Sequence, residues 1–119
     1  MAGAGVARIA ARRFLAAAGI VALVGCAGPT PYQRRDAGEG YYDYEVRPGV
    51  HAVSFDGNGR TPRETAITYW HRRAAEICGG QDRYEVLGMD ASGRRVFPPS
   101  PTVIREYTLP HVEGLIRCK

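Results

Sequence analysis

From Tyr41 onward the chain alternates between short β-type runs and one stretch of helical period. Tyr41, Tyr42, Tyr44 and Val46 form a β-favouring run, and Pro48-Gly49 follows as a turn signal. The next run, His51 to Phe55, alternates: Val53 and Phe55 share one face, Ala52 and Ser54 the other. Two such runs around a Pro-Gly step predict a hairpin. Ile67, Trp70, Ala74 and Ile77 then recur at three- and four-residue spacing, flanked on the same stripe by Ala66 and Cys78. Arg63, Glu64, Arg72, Arg73 and Glu76 fall mostly on the opposite side. That period predicts one amphipathic helix of about 17 residues. Thr61, Pro62 and Glu64 ahead of it read as a capping box with proline at the first helical position. Gly79-Gly80 supplies the left-handed stop.

Three more β segments follow, over Tyr84–Met89, Thr102–Leu109 and Val112–Cys118. Asp90 to Gly93 reads as a turn and the proline-rich stretch from Val96 to Pro101 as a loop. The order β-β-α-β-β-β predicts an α+β fold: a small antiparallel sheet covered on one face by a single helix. Residues 26–40 are rich in proline, glycine and mixed charge with little to bury, which predicts a disordered tether. Its root-mean-square reach would be roughly 20 Å. The chain thus divides into a leader (1–25), a tether (26–40) and one small domain (41–119).

The leader carries its own signal. Arg8, Arg12 and Arg13 precede an uninterrupted apolar or glycine run from Phe14 to Val24, and no acid occurs before Asp36. An apolar run of about 11 residues suits a cleaved signal peptide and falls short of the roughly 20 that a spanning helix needs. Leu23-Val24-Gly25-Cys26 completes the pattern of a lipobox, which implies cleavage between Gly25 and Cys26 and acylation of the Cys26 thiol with palmitate-class chains. Two or more such chains anchor a protein stably. Arg12-Arg13-Phe14-Leu15 comes near a twin-arginine signal but lacks the spacer residue, which favours the general secretory route. Ala27 stands where an aspartate would retain a Gram-negative lipoprotein in the inner membrane. The expected location is therefore the cell envelope, on the outer membrane facing the periplasm.

Processing changes the charge argument. The full chain has 16 Lys+Arg against 12 Asp+Glu, formally +4. Removing the three leader arginines leaves 13 basic residues against 12 acidic ones. A near-neutral domain lacks the cationic excess that displaces counterions from nucleic acid, so no nucleic-acid partner is expected.

With Cys26 committed to lipid, Cys78 and Cys118 remain. In an oxidising compartment a pair of cysteines in a small domain predicts one disulfide. Closing a loop of that length stabilises by about 4 kcal/mol in the chain-entropy model. The competing readings are a pair of free buried thiols and a metal site, the latter with His71 and Cys78 two helical turns apart and Cys118, His111 and His51 as further ligands. No C-x-x-C or H-x-x-x-H spacing supports it. Cys78 at a helix C-terminus is also a poor nucleophile, because the negative end of the dipole disfavours a thiolate. Gly57-Asn58-Gly59-Arg60 before the helix invites a phosphate-loop reading. Against it, Pro62 removes a donor, Glu64 places negative charge at the site, and no G-K-[ST] follows. No catalytic residue and no cofactor is implied by any motif.

Val53-Ser54-Phe55, Gly57-Asn58-Gly59, Thr61 and Arg73-Ala74-Ala75-Glu76, together with the lipobox, give the chain a resemblance. It resembles a family of small proteobacterial lipoproteins without assigned function, over Cys26 and roughly residues 44–86. The resemblance implies a lipidated envelope protein and no activity. The leading expectation is an accessory module, held to the membrane by its lipid, that binds an envelope protein or the cell wall. The alternative is a periplasmic lipoprotein that binds a small ligand or a metal, and an envelope hydrolase or redox enzyme is a third class. The tyrosine cluster at residues 41–44 covers a sheet edge or, less simply, contacts glycan or membrane.

Overall fold

A computed structural model describes residues 28–97, 102 and 106–119. The leader and the lipobox, including Gly25 and Cys26, lie outside the described residues. Among the described residues six strands and one helix follow in chain order. They are β1 (Gly40–Arg47), β2 (Val50–Asp56), α1 (Arg63–Cys78), β3 (Tyr84–Asp90), β4 (Arg94–Val96), β5 (Tyr107–Leu109) and β6 (His111–Cys118). The main sheet has the order β1-β2-β6-β3, antiparallel throughout, and α1 packs on one face of it. This is the expected α+β architecture.

The helix stripe and the inward strand positions meet as their periods require. Ala66, Trp70 and Ala74 of α1 are buried against Val53 and Phe55 of β2 and Val112 and Ile116 of β6. Ile67, Ile77 and Cys78 pack at the margin. Burying an indole removes roughly 200 Å² from water, worth about 5 kcal/mol as an upper figure. Trp70 also has a polar atom to satisfy, and its Nε1 donates to the Val53 carbonyl at 2.8 Å.

Room for the indole comes from Gly114. A Cβ there would stand 2.9 Å from Trp70 Cζ2 and 2.3 Å from the Gly88 carbonyl oxygen. The β3–β6 register shifts between Val86 and Gly88, so a bulge brings that carbonyl close to β6 at the same place. Gly114 thus admits both the ring above and the bulged neighbour beside it.

The ends of α1 differ from one another. Gly79 takes a left-handed conformation (φ 87°), and the amides of Gly79 and Gly80 both donate to the Ala75 carbonyl at 2.8 Å, as the Gly-Gly step predicts. At the start, the capping box does not form. Pro62 holds the N-cap position with no side-chain cap, and Ala66 N donates to its carbonyl at 3.1 Å. The Thr61 hydroxyl is engaged elsewhere, as described below. Cys78 and Cys118 form the expected disulfide, with Cα atoms 5.2 Å apart. It ties the last turn of α1 to the end of β6, where Cys118 N donates to the Gly49 carbonyl at 2.9 Å.

Two further expectations need correction. From Gly28 onward the segment read as a tether is docked on the domain. It folds back through Asp36–Glu39, whose amides and carbonyls exchange bonds of 2.8 and 3.0 Å around Ala37 (φ 52°) and Gly38 (φ 84°). Second, of the segment 102–109 read as one strand, residues 103–105 lie outside the described residues and β5 is Tyr107–Leu109. It pairs with β4, a short strand between the segments read as turn (90–93) and loop (96–101). Pro110 interrupts the run, and its carbonyl accepts from Gly57 N at 2.9 Å, so β6 starts afresh at His111. Arg73, on the polar side of the helix stripe, reaches across to β1. Its Nε lies 2.6 Å from Asp43 Oδ2 and its Nη2 3.3 Å from Oδ1, a two-point clasp between α1 and β1 beneath the Tyr41 ring.

Replacing Gly114 by alanine should destabilise the domain by about 2–4 kcal/mol, since neither backbone nor buried indole can yield cheaply. Urea denaturation followed by Trp70 fluorescence measures it; a loss under about 0.5 kcal/mol would contradict this account of the packing.

Candidate functional site

The loop between β2 and α1 is the first polar assembly. Asn58 Oδ1 accepts from Arg60 N at 3.0 Å and from the Thr61 hydroxyl at 2.9 Å, which shapes the turn. Thr61 Oγ1 in turn accepts from Thr30 N at 2.8 Å. The Thr30 hydroxyl accepts from Asn58 N at 2.8 Å and donates to Glu39 Oε1 at 2.6 Å. Asn58 Nδ2 reaches the Gly28 carbonyl at 3.0 Å. Thr30 and Thr61 are both buried, yet no buried side-chain nitrogen or oxygen among the described residues lacks a partner.

This wiring answers the phosphate-loop reading. The amides of Gly57, Asn58, Arg60 and Thr61 all donate to protein oxygens. An anion nest needs such amides free. The loop is a latch for the 28–30 segment.

The second assembly surrounds Asp56, whose side chain is only 9% exposed. Its carboxylate sits between the Arg35 guanidinium and His111, whose Nδ1 is 2.6 Å from Oδ1. His111 Nε2 lies 3.3 Å from Glu113 Oε2. The β2–β6 register sets Asp56 directly opposite His111, and Glu113 follows two residues on along the same face. Both ring nitrogens thus face carboxylates, an arrangement that closes a charge cluster rather than activating a hydroxyl for attack. Arg35 also donates to Ser54 Oγ at 3.1 Å and lies 5.2 Å from the centre of the Tyr42 ring.

That cluster borders the open face of the main sheet, opposite α1. A shallow groove of about 300 Å³ runs there, lined by Tyr42, Tyr44, Ala52, Ser54, Glu113 and Leu115. Tyr42, Tyr44 and Leu115 are 46%, 56% and 40% exposed. The two tyrosine rings lie 6.1 Å apart, centre to centre. Contiguous exposed apolar side chains rimmed by polar groups mark interaction surfaces.

A third assembly covers the seam between β1 and α1. Tyr32 stacks on Tyr41 at 5.0 Å and meets Tyr69 edge-on at 5.4 Å, and the Arg72 guanidinium lies 3.9 Å from its centre. Its hydroxyl donates to Glu76. Burial first, then that hydrogen bond and the charge of Glu76, push the Tyr32 phenol well above its ordinary value. Burial likewise raises Tyr84, whose hydroxyl is 2.8 Å from His71 Nδ1.

The residues weighed as metal ligands do not converge. His71 faces Tyr84, His111 faces Asp56, and His51 lies 3.8 Å from Glu45. Cys78 and Cys118 are bonded to each other. Among the described residues no group of three or more His, Cys, Asp or Glu is placed to hold a metal ion. Nor is any helix among them long and apolar enough to cross a membrane. No protein-family model, no curated protein and no solved structure matches the chain.

Substituting Asn58 with alanine removes three bonds and strands the buried Thr61 hydroxyl. The expected cost is about 2–3 kcal/mol, with faster hydrogen exchange at Thr30 and Arg35; unchanged exchange there would mean that Asn58 does not hold the segment. Alkaline pH supplies a second check. Because the folded Tyr32 and Tyr84 hold their protons more tightly than the unfolded chain does, their stabilising contribution is complete below about pH 10 and is lost as pH rises beyond it. The urea midpoint should hold up to about pH 9.5 and fall from there towards about pH 12, less steeply for Tyr32→Phe; parallel slopes would refute the assignment.

Proposed function

We propose that the protein is a lipid-anchored accessory module of a bacterial cell envelope that docks an envelope protein on the open face of its sheet. The anchor is Cys26, acylated after cleavage at Gly25, and the location is the periplasmic side of the outer membrane. The lipobox, the arginine-bearing leader and the resemblance to small proteobacterial lipoproteins support the anchoring. The one observation that carries the docking is the exposed Tyr42, Tyr44 and Leu115 groove with Arg35, Ser54 and Glu113 at its rim. Tyrosine and arginine are the residue types that protein interfaces favour at their centres. Two tyrosines anchored on a rigid strand lose little entropy on binding.

The test has two parts. The mass of the native protein should show acyl chains on an N-terminal Cys26. A photo-crosslinking amino acid at Tyr44, in cells, should yield a reproducible protein adduct that the same group at Arg83 does not. Adducts carrying muropeptide mass would assign the face to the cell wall instead. Absence of any adduct from Tyr44 would sink the docking face.

A further inference from the structure

The sheet order leaves a gap on the helix side. In the order β1-β2-β6-β3, α1 packs over the central β2 and β6 and meets the edge strand β3 through Tyr84 at its first position. A groove of about 830 Å³ opens there, beside the helix. Ile67, His71 and Ala75 recur every fourth residue and so line it along the helix axis. Arg72 joins them from the helix, and Gln81 and Tyr84 face them from the following turn and from β3. Gly79 and Gly80 close one end with bare backbone, where a Cβ on Gly79 would meet nothing within 4 Å. Small-molecule sites have volumes of roughly 300–1,000 Å³ and join an apolar lining to a few convergent polar groups.

Two polar groups of this groove lack a partner among the described residues. The Arg72 guanidinium lies 3.9 Å from the centre of the Tyr32 ring, yet makes no hydrogen bond or ion pair there. Tyr32 is itself held by Tyr41, Tyr69 and Glu76, so the guanidinium is oriented before any ligand arrives. His71 has its Nδ1 2.8 Å from the Tyr84 hydroxyl and stands edge-on to the Trp70 ring at 5.0 Å. That leaves Nε2 for a ligand.

Nearby carboxylates do not cancel Arg72. Glu76, the acid that lines the groove, accepts from the Tyr32 hydroxyl and lies 3.7 Å from Arg73 Nη1. Glu64, Asp82 and Arg83 stand next to the groove in the chain, and neither acid pairs with Arg72. The site is thus one oriented guanidinium over an apolar floor, not a cationic patch. A guanidinium meets a carboxylate or phosphate with two parallel N–H bonds. Arg72 stands six residues before Cys78, the last of α1, or about 9 Å along the axis. An anion there avoids the negative end of the helix dipole, which acts within the last turn.

We infer that this groove binds a small organic anion, with a carboxylate or phosphate head on Arg72 and His71 Nε2 and an apolar body on Ile67, Ala75 and the Tyr84 ring. The site lies on the helix side of the sheet, opposite Tyr42 and Tyr44. It stands apart from the docking proposed for the open face.

The experiment titrates the full chain, isotope-labelled and in nonionic detergent, with four probes that share one phenyl body: phenylacetate, phenyl phosphate, benzyl alcohol and benzylammonium. The anions should shift the His71, Arg72 and Ala75 amides and bind about tenfold more tightly than the alcohol, the gain expected of one charge-assisted pair. Whichever anion binds more tightly names the head group. Arg72→Gln should erase that preference with the wider amide spectrum unchanged. Ala75→Leu fills the floor and keeps the guanidinium, and should weaken both anions about fivefold or more; it decides alone if Arg72→Gln disturbs the fold. Silence from both anions at about 10 mM, equal or tighter binding of the alcohol or the ammonium, a preference that survives Arg72→Gln, or binding untouched by Ala75→Leu overturns the inference.

Discussion

The indole of Trp70 over the bare backbone of Gly114 is the contact on which the rest of the domain depends. It needs a helix residue at the centre of the apolar stripe, a glycine on β6, and a bulge on β3 that lets the Gly88 carbonyl approach. The ring's one polar atom is spent on the Val53 carbonyl. Helix and sheet are thereby locked in one relative position, which a greasy stripe on its own does not specify. Phe55, Val112, Ile116 and Ala74 complete the packing around that point.

Two closures hold the margins of this core. At one end the disulfide joins the close of α1 to the close of β6. At the other, Asn58, Thr30 and Thr61 form a fully satisfied polar knot. Buried hydroxyls of this kind are costly unless every bond is made, and here they are made. Between the ends, the Arg73–Asp43 clasp and the Tyr32–Tyr41–Tyr69 stack seal the seam along β1. The docked segment is thus a working part of the fold: it brings Arg35 to Asp56 and covers the edge of β1.

The proposed docking face follows from what this packing leaves uncovered. The helix occupies one face of the sheet and leaves Tyr42, Tyr44 and Leu115 on the other. The Asp56–His111–Glu113 cluster stiffens the rim of that groove, since each charged group in it faces an opposite or titratable partner.

Much of the fold was legible in local pattern. The Ile67-Trp70-Ala74-Ile77 stripe, the Gly79-Gly80 stop, the Val53/Phe55 alternation and the pairing of Cys78 with Cys118 each follow from period, backbone chemistry or cysteine count. The candidate site was legible only as a cluster of tyrosines. The docked 28–40 segment, the Arg73–Asp43 clasp and the Asp56–His111 pair join residues 28 to 55 positions apart, and such bonds leave no periodic trace. Thr61 shows the conflict: its spacing to Glu64 spelled a helix cap, but Thr30 and Asn58 claimed its hydroxyl. The amino-acid order by itself determined α1, the β1–β2 hairpin, β3 and β6 and the faces they bury, because those are properties of near neighbours. Only the tertiary structure decided where the polar side chains find their partners, because a hydrogen bond is made with whichever group the folded chain brings within about 3 Å.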